Sequence, residues 1–153
     1  MAIRRIEREI TNTWTNINDT TMNSKAIFIE RDQRVVTFLA TFNEDVVKII
    51  LNFPKSYPFK PPRVMISNYL NQNQYNYLDL LNLKGEWLRH FGLNECMCCN
   101  SILCKWGVMS NMKDIIEEVT NILSIKKRII EIMCCRQIIK QKIGHYVPVE
   151  EFL

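Results

Sequence analysis

Leu51-Asn-Phe-Pro-Lys-Ser-Tyr-Pro-Phe-Lys-Pro-Pro-Arg-Val-Met-Ile66 is the stretch that decides the architecture. It is entered from an alternating apolar run, Val46 to Phe53, and left through a second short one, Arg63 to Ile66. Proline fixes φ and has no amide to donate, so Pro54, Pro58, Pro61 and Pro62 are excluded from a central strand. The stretch therefore predicts two strands joined by a rigid corner, with Tyr57 and Phe59 carried on it.

Working upstream, Ala26 to Glu30 and Val35 to Phe42 read as two further strands. The connections Arg31-Asp-Gln-Arg34 and Asn43-Glu-Asp45 are short enough for antiparallel neighbours. With Arg63 to Ser67 after the corner, the expectation is a four-stranded antiparallel meander. Before it, Ile3, Ile6, Ile10 and Trp14 recur at spacings of three and four, which predicts an amphipathic helix over 3–14 with Arg4, Arg5 and Arg8 outside its apolar stripe.

Downstream, Asn68 to Asn76 is polar and turn-like, and Leu78 to Leu93 reads equally as a helix or as irregular packing. Met112, Ile115, Ile116, Val119, Ile122 and Leu123 mark a helix over 110–124, with Ser110 or Asn111 as N-cap and Asp114 in its first turn. A second, basic helix is expected over about 126–142, ending at Gly144. The fold class is thus α+β: an N-terminal helix, a four-stranded antiparallel meander and C-terminal helices, in one domain over 1–153.

The chain has 153 residues, 47% of them apolar and 24% charged, enough for a single core without repeats or low-complexity tracts. No apolar run approaches membrane-spanning length, and Met1 to Ile10 mixes charge into its apolar residues, unlike a signal peptide. No membrane partner is therefore expected. Lys126, Lys127, Arg128, Arg136, Lys140 and Lys142 face only Glu131 in their segment, which accounts for the net charge of +4. We read this as the solvated face of a terminal helix, with no nucleic acid as partner. Six cysteines, Cys96, Cys98, Cys99, Cys104, Cys134 and Cys135, fall in two clusters. Without a secretory signal they suit a reducing compartment, cytoplasmic or nuclear, and stand as candidates for chemistry, metal or burial.

Phe53 to Pro62 resembles the strand-to-strand corner of the ubiquitin-conjugating enzyme family, F-P-x-x-Y-P-F-K-P-P. The order of helix, meander and corner is also that family's. Its reactive segment, C-x-x-I-L followed by tryptophan, is similar to Cys99-Asn-Ser-Ile-Leu-Cys-Lys-Trp106. The resemblance implies a transferase that accepts ubiquitin or a related modifier as a thioester on Cys99 and passes it to a lysine. Counted back from Trp106, the register makes Cys98 the candidate instead, but Ser101 then falls where the family has an apolar residue. A thiol suits this work because the thiolate is both a strong nucleophile and a good leaving group. The partners implied are the modifier, an activating enzyme met by Arg4, Arg5 and Arg8, and a ligase met by Phe59, Pro58 and Trp106. A monomer without cofactor or metal is expected.

The chain also departs from the family. It has no His-Pro-Asn motif before the cysteine; Leu88 to Glu95 stands there, leaving His90 and Asn94 as candidate hydrogen-bond donors for the acceptor step. Gly107-Val108-Met109 replaces the family's Ser-Pro-Ala turn, and the acidic, proline-containing loop after the next helix is absent. The interval before the cysteines is long, so an insertion is expected around 68–95. Two rival readings follow. One is a catalytically inactive variant that binds ubiquitin or a partner enzyme. The other is a zinc-stabilised domain using Cys96, Cys98, Cys99, Cys104 and His90, although adjacent Cys98 and Cys99 converge poorly on one ion. The wealth of Asn, Ile and Lys and the cysteine-rich pattern resemble versions carried by large DNA viruses, in which case the partners are host enzymes.

Overall fold

A computed structural model of the chain describes residues 2–14, 26–42, 45–68, 73–82, 85–92 and 97–143. It has a mixed α+β architecture: an N-terminal helix, a five-stranded antiparallel sheet and a long C-terminal helix. Helix α1 is Ala2–Trp14. The strands are β1 (Ala26–Asp32), β2 (Val35–Phe42), β3 (Asp45–Asn52), β4 (Arg63–Asn68) and β5 (Gln74–Asn76), each hydrogen-bonded to the next in chain order. Short helices α2 (Tyr77–Leu80), α3 (Gly85–His90) and α4 (Met97–Asn100) precede α5, Met112–Ile143.

The sheet takes its inner face from period-two alternation. Val36 lies opposite Leu51, which lies opposite Val64; Phe38, Ile49 and Ile66 form the next row. All six are buried. Each such side chain contributes about 1.5–3 kcal/mol on leaving water. Against these rows pack Ala2 and Ile6 of α1 and Met112, Ile115, Ile116, Val119 and Ile122 of α5.

Three expectations need correction. The sheet has five strands, because Gln74–Asn76 pairs with β4 (Ile66 opposite Tyr75), which the polar composition of Asn68 to Asn76 conceals. The two helices expected over 110–124 and 126–142 are one helix of 32 residues, about 48 Å long. No glycine or proline interrupts 112–143, and Ile122, Ile125, Ile129 and Ile132 carry the apolar stripe through, Ile125 touching both the main core and a small cluster of Trp87 and Ile129. Leu78 to Leu93, where helix and irregular packing both stood open, holds the end of α2 and all of α3. In α1 the inward face is Ala2, Ile6, Glu9 and Ile10, while Ile3 is 45% exposed. The side chain of Trp14 lies outside the described residues.

Asn111 is the N-cap of α5. Its Oδ1 accepts from the Asp114 amide at 3.0 Å, and Asp114 Oδ2 accepts from the Asn111 amide at 3.2 Å, a reciprocal pair that satisfies two orphan donors. Half of the six basic side chains further along are turned to the fold. Lys127 pairs with Asp45 at 2.8 Å, and Arg136 pairs with Glu86 at 3.1 Å while lying over the Trp87 ring. Lys126 is half-buried, and burial lowers its pKa. Among the described residues no helix is long and apolar enough to cross a membrane.

Candidate functional site

The proline corner is built as a series of tight turns. The Tyr57 amide donates to the Pro54 carbonyl at 3.1 Å and the Phe59 amide to the Ser56 carbonyl at 2.8 Å; the Tyr57–Pro58 peptide is cis. Phe53 and Tyr57 are buried and meet edge to face, with ring centroids 4.6 Å apart. Phe59 faces the other way and is 66% exposed.

Glu9 holds this corner against the helices. Only 8% exposed, its carboxylate accepts the Tyr57 hydroxyl at 2.8 and 2.7 Å, the Met112 amide at 2.9 Å and the Arg5 guanidinium. Met112 is the first residue of α5, so the carboxylate sits at the positive end of the helix dipole. Its bond to Glu9 raises the pKa of Arg5. Burial first, and the hydrogen bond to Glu9 second, raises that of the Tyr57 hydroxyl.

A second glutamate organises the cysteine segment. Glu118, half-buried on α5, accepts the Tyr77 hydroxyl at 2.9 Å, the Ser101 hydroxyl at 2.8 Å and the Ile102 amide at 2.9 Å. Ser101 is buried, its hydroxyl accepts from the Leu103 amide, and its carbonyl accepts from the Cys104 and Lys105 amides. Burial, then the Glu118 charge, raises the Tyr77 pKa. The segment ends at Trp106, whose Nε1–H donates to the Pro58 carbonyl at 2.7 Å, with its ring 5.9 Å from that of Tyr57.

On this support α4 carries Cys98 and Cys99, both exposed, their Sγ atoms 4.0 Å apart. Lys105 Nζ reaches the side-chain oxygen of Asn100 at 3.0 Å. A cavity of about 260 Å³ lies between α4 and α5, bounded by Met97, Asn100, Glu118, Asn121 and Ile122 among others.

The remaining candidates are distributed as follows. His90, half-buried at the end of α3, packs edge-on against Trp87 and Phe91. Asn94 and Cys96 lie outside the described residues. Pro58 is buried and Trp106 half-buried, so of the three residues assigned to ligase contact Phe59 is the one displayed, as are Val108 and the 88% exposed Met109 in the turn after Trp106. Arg4 and Arg8 are exposed, whereas Arg5 is engaged by Glu9. Among the described residues no three His, Cys, Asp or Glu side chains gather as a metal ion requires. The sequence reading missed Glu9 and Glu118. Glu9 falls three residues after Ile6, a spacing of the inward face, which was its one signal; Glu118 looked like any solvated helix residue. No family model, curated protein or solved structure matches this chain.

Proposed function

We propose that the chain is a ubiquitin-conjugating enzyme of divergent form, accepting ubiquitin or a related modifier on Cys99 and passing it, with a ligase, to a lysine amine. The observation that carries this reading is the bond from Trp106 Nε1 to the Pro58 carbonyl. It ties the exposed thiols to the rigid corner that displays Phe59, so a reactive group and an apolar anchor share one frame. A preorganised anchor lowers the ordering cost of docking a partner.

In the first step the Cys99 thiolate attacks the carbonyl of the incoming thioester; the bond to the donor sulfur breaks and the donor leaves as thiolate. In the second, a lysine amine attacks the new thioester, loses a proton and releases Cys99. The second step calls for a donor to the oxyanion, and His90, committed to an aromatic cluster, is poorly suited. That observation favours an alternative, a catalytically silent variant of the fold that binds the modifier or a partner enzyme.

One assay separates the two. The chain is mixed with activating enzyme, ATP and ubiquitin and run on a non-reducing gel. The transferase reading expects a thiol-sensitive band one ubiquitin heavier, lost in Cys99→Ala and kept in Cys98→Ala. Absence of the band with ubiquitin and with related modifiers would sink it in favour of the binding module.

A further inference from the structure

The chain contains two pairs of adjacent cysteines in contrasting settings. Cys134 and Cys135 are exposed in the interior of α5, eight or more residues from either end, where backbone bonds on both sides hold consecutive side chains about 100° apart around the axis. Cys98 and Cys99 are equally exposed but sit on the single turn of α4, Sγ to Sγ 4.0 Å, beside the cavity that separates α4 from α5.

We propose that Cys98 and Cys99 are a modification site for hydroperoxides, a vicinal dithiol that closes to an intramolecular disulfide. One thiolate attacks a peroxide oxygen; the O–O bond breaks, the sulfur becomes a sulfenic acid, and the other oxygen leaves as water or alcohol after protonation. The neighbouring thiol then attacks that sulfur, an S–S bond forms, and the hydroxyl departs as water. The dithiol gives up two electrons and the peroxide accepts them. Two equivalents of an external thiol reopen the bridge by exchange.

Closure demands backbone movement, because adjacent Cα atoms lie about 3.8 Å apart, below the roughly 4.4–6.8 Å span of ordinary disulfides. A one-turn helix beside a cavity accommodates that movement. The interior of a 32-residue helix does not. The bridge stands on this geometry alone; its consequence, that an oxidised chain takes no modifier until reduced, rests on the transferase reading.

The full chain is treated with a few equivalents of hydrogen peroxide, its remaining thiols are alkylated, and mass is read on the intact protein and on peptides. The expected result is a loss of two hydrogens mapped to Cys98 and Cys99, reversed by dithiothreitol, with Cys134 and Cys135 still alkylated. In Cys98→Ser the bridge is gone and Cys99 accumulates about tenfold more sulfinate than in the wild type, since no neighbour intercepts the sulfenic acid. A bridge found instead at Cys134–Cys135 or between chains, or equal sulfinate in wild type and variant, overturns the proposal. No activating enzyme is present, so this result is independent of the gel.

Discussion

Glu9 and Glu118 perform the same task in two places with different consequences. Each carboxylate accepts a tyrosine hydroxyl and a backbone amide, Tyr57 and Met112 for Glu9, Tyr77 and Ile102 for Glu118. At the corner, prolines have already restricted the backbone and two turn hydrogen bonds close within the loop, so Glu9 fixes where a stiff element sits. The segment from Ser101 to Trp106 has no proline, and its turn centres on Ser101, which Glu118 itself holds. There the carboxylate determines the shape of the loop as well as its place. The contrast teaches that a display surface is built locally, whereas the support beneath the thiols depends on a residue from another element.

The largest effect expected is on global stability. Glu9→Ala strands a buried tyrosine hydroxyl, a helix-start amide and Arg5, at a cost of about 3 kcal/mol by urea denaturation. The Tyr57 and Phe59 amides should nevertheless stay protected in hydrogen exchange, because their acceptors are within the corner. If they lost protection, the corner would not be self-determined and the comparison would fail.

Glu118→Ala should cost less, about 2 kcal/mol, since its site is only half-buried. Its local effect should be greater: the Ile102, Leu103 and Lys105 amides should exchange far faster while those of the corner do not change. Uniform loss of protection across both regions would show that the two glutamates do not act separately.

The smallest effect is read by pH. Burial and a neighbouring carboxylate raise the pKa of both Tyr57 and Tyr77 from 10.0. A raised pKa on a neutral acid means that the unfolded chain ionises first. The stability supplied by the two neutral phenols is therefore fully present below pH 10 and falls as pH climbs past it, by up to about 1.4 kcal/mol per unit for each tyrosine. Tyr57→Phe and Tyr77→Phe should each remove about half of that alkaline slope in denaturation series between pH 9 and 11. A slope that either variant leaves intact would remove that tyrosine from the pair.

Much of this was legible in the residues because it is local. The proline corner, β2 with its ends at Val35 and Phe42, and a helix capped by Ser110 or Asn111 with Asp114 in its first turn all follow from φ restriction, alternation and side-chain-to-backbone bonding within a few positions; the structure selects Asn111. Less legible were the fifth strand, which borrows its pairing from β4, and the unbroken α5, whose Ile129 packs on Trp87 without a visible signal.

By itself, then, the sequence determined the first four strands, the corner between the last two of them, the N-terminal helix and the presence of a helix after Asn111, since backbone sterics and periodicity act between near neighbours. The tertiary structure alone decided which charged residues are internal. Glu9 and Glu118 differ from solvent-facing glutamates only in what folding brings to them across 48 to 103 positions and 16 to 41 positions. A buried carboxylate is stable only where several donors converge on it, and convergence over such separations is a property of the packed chain.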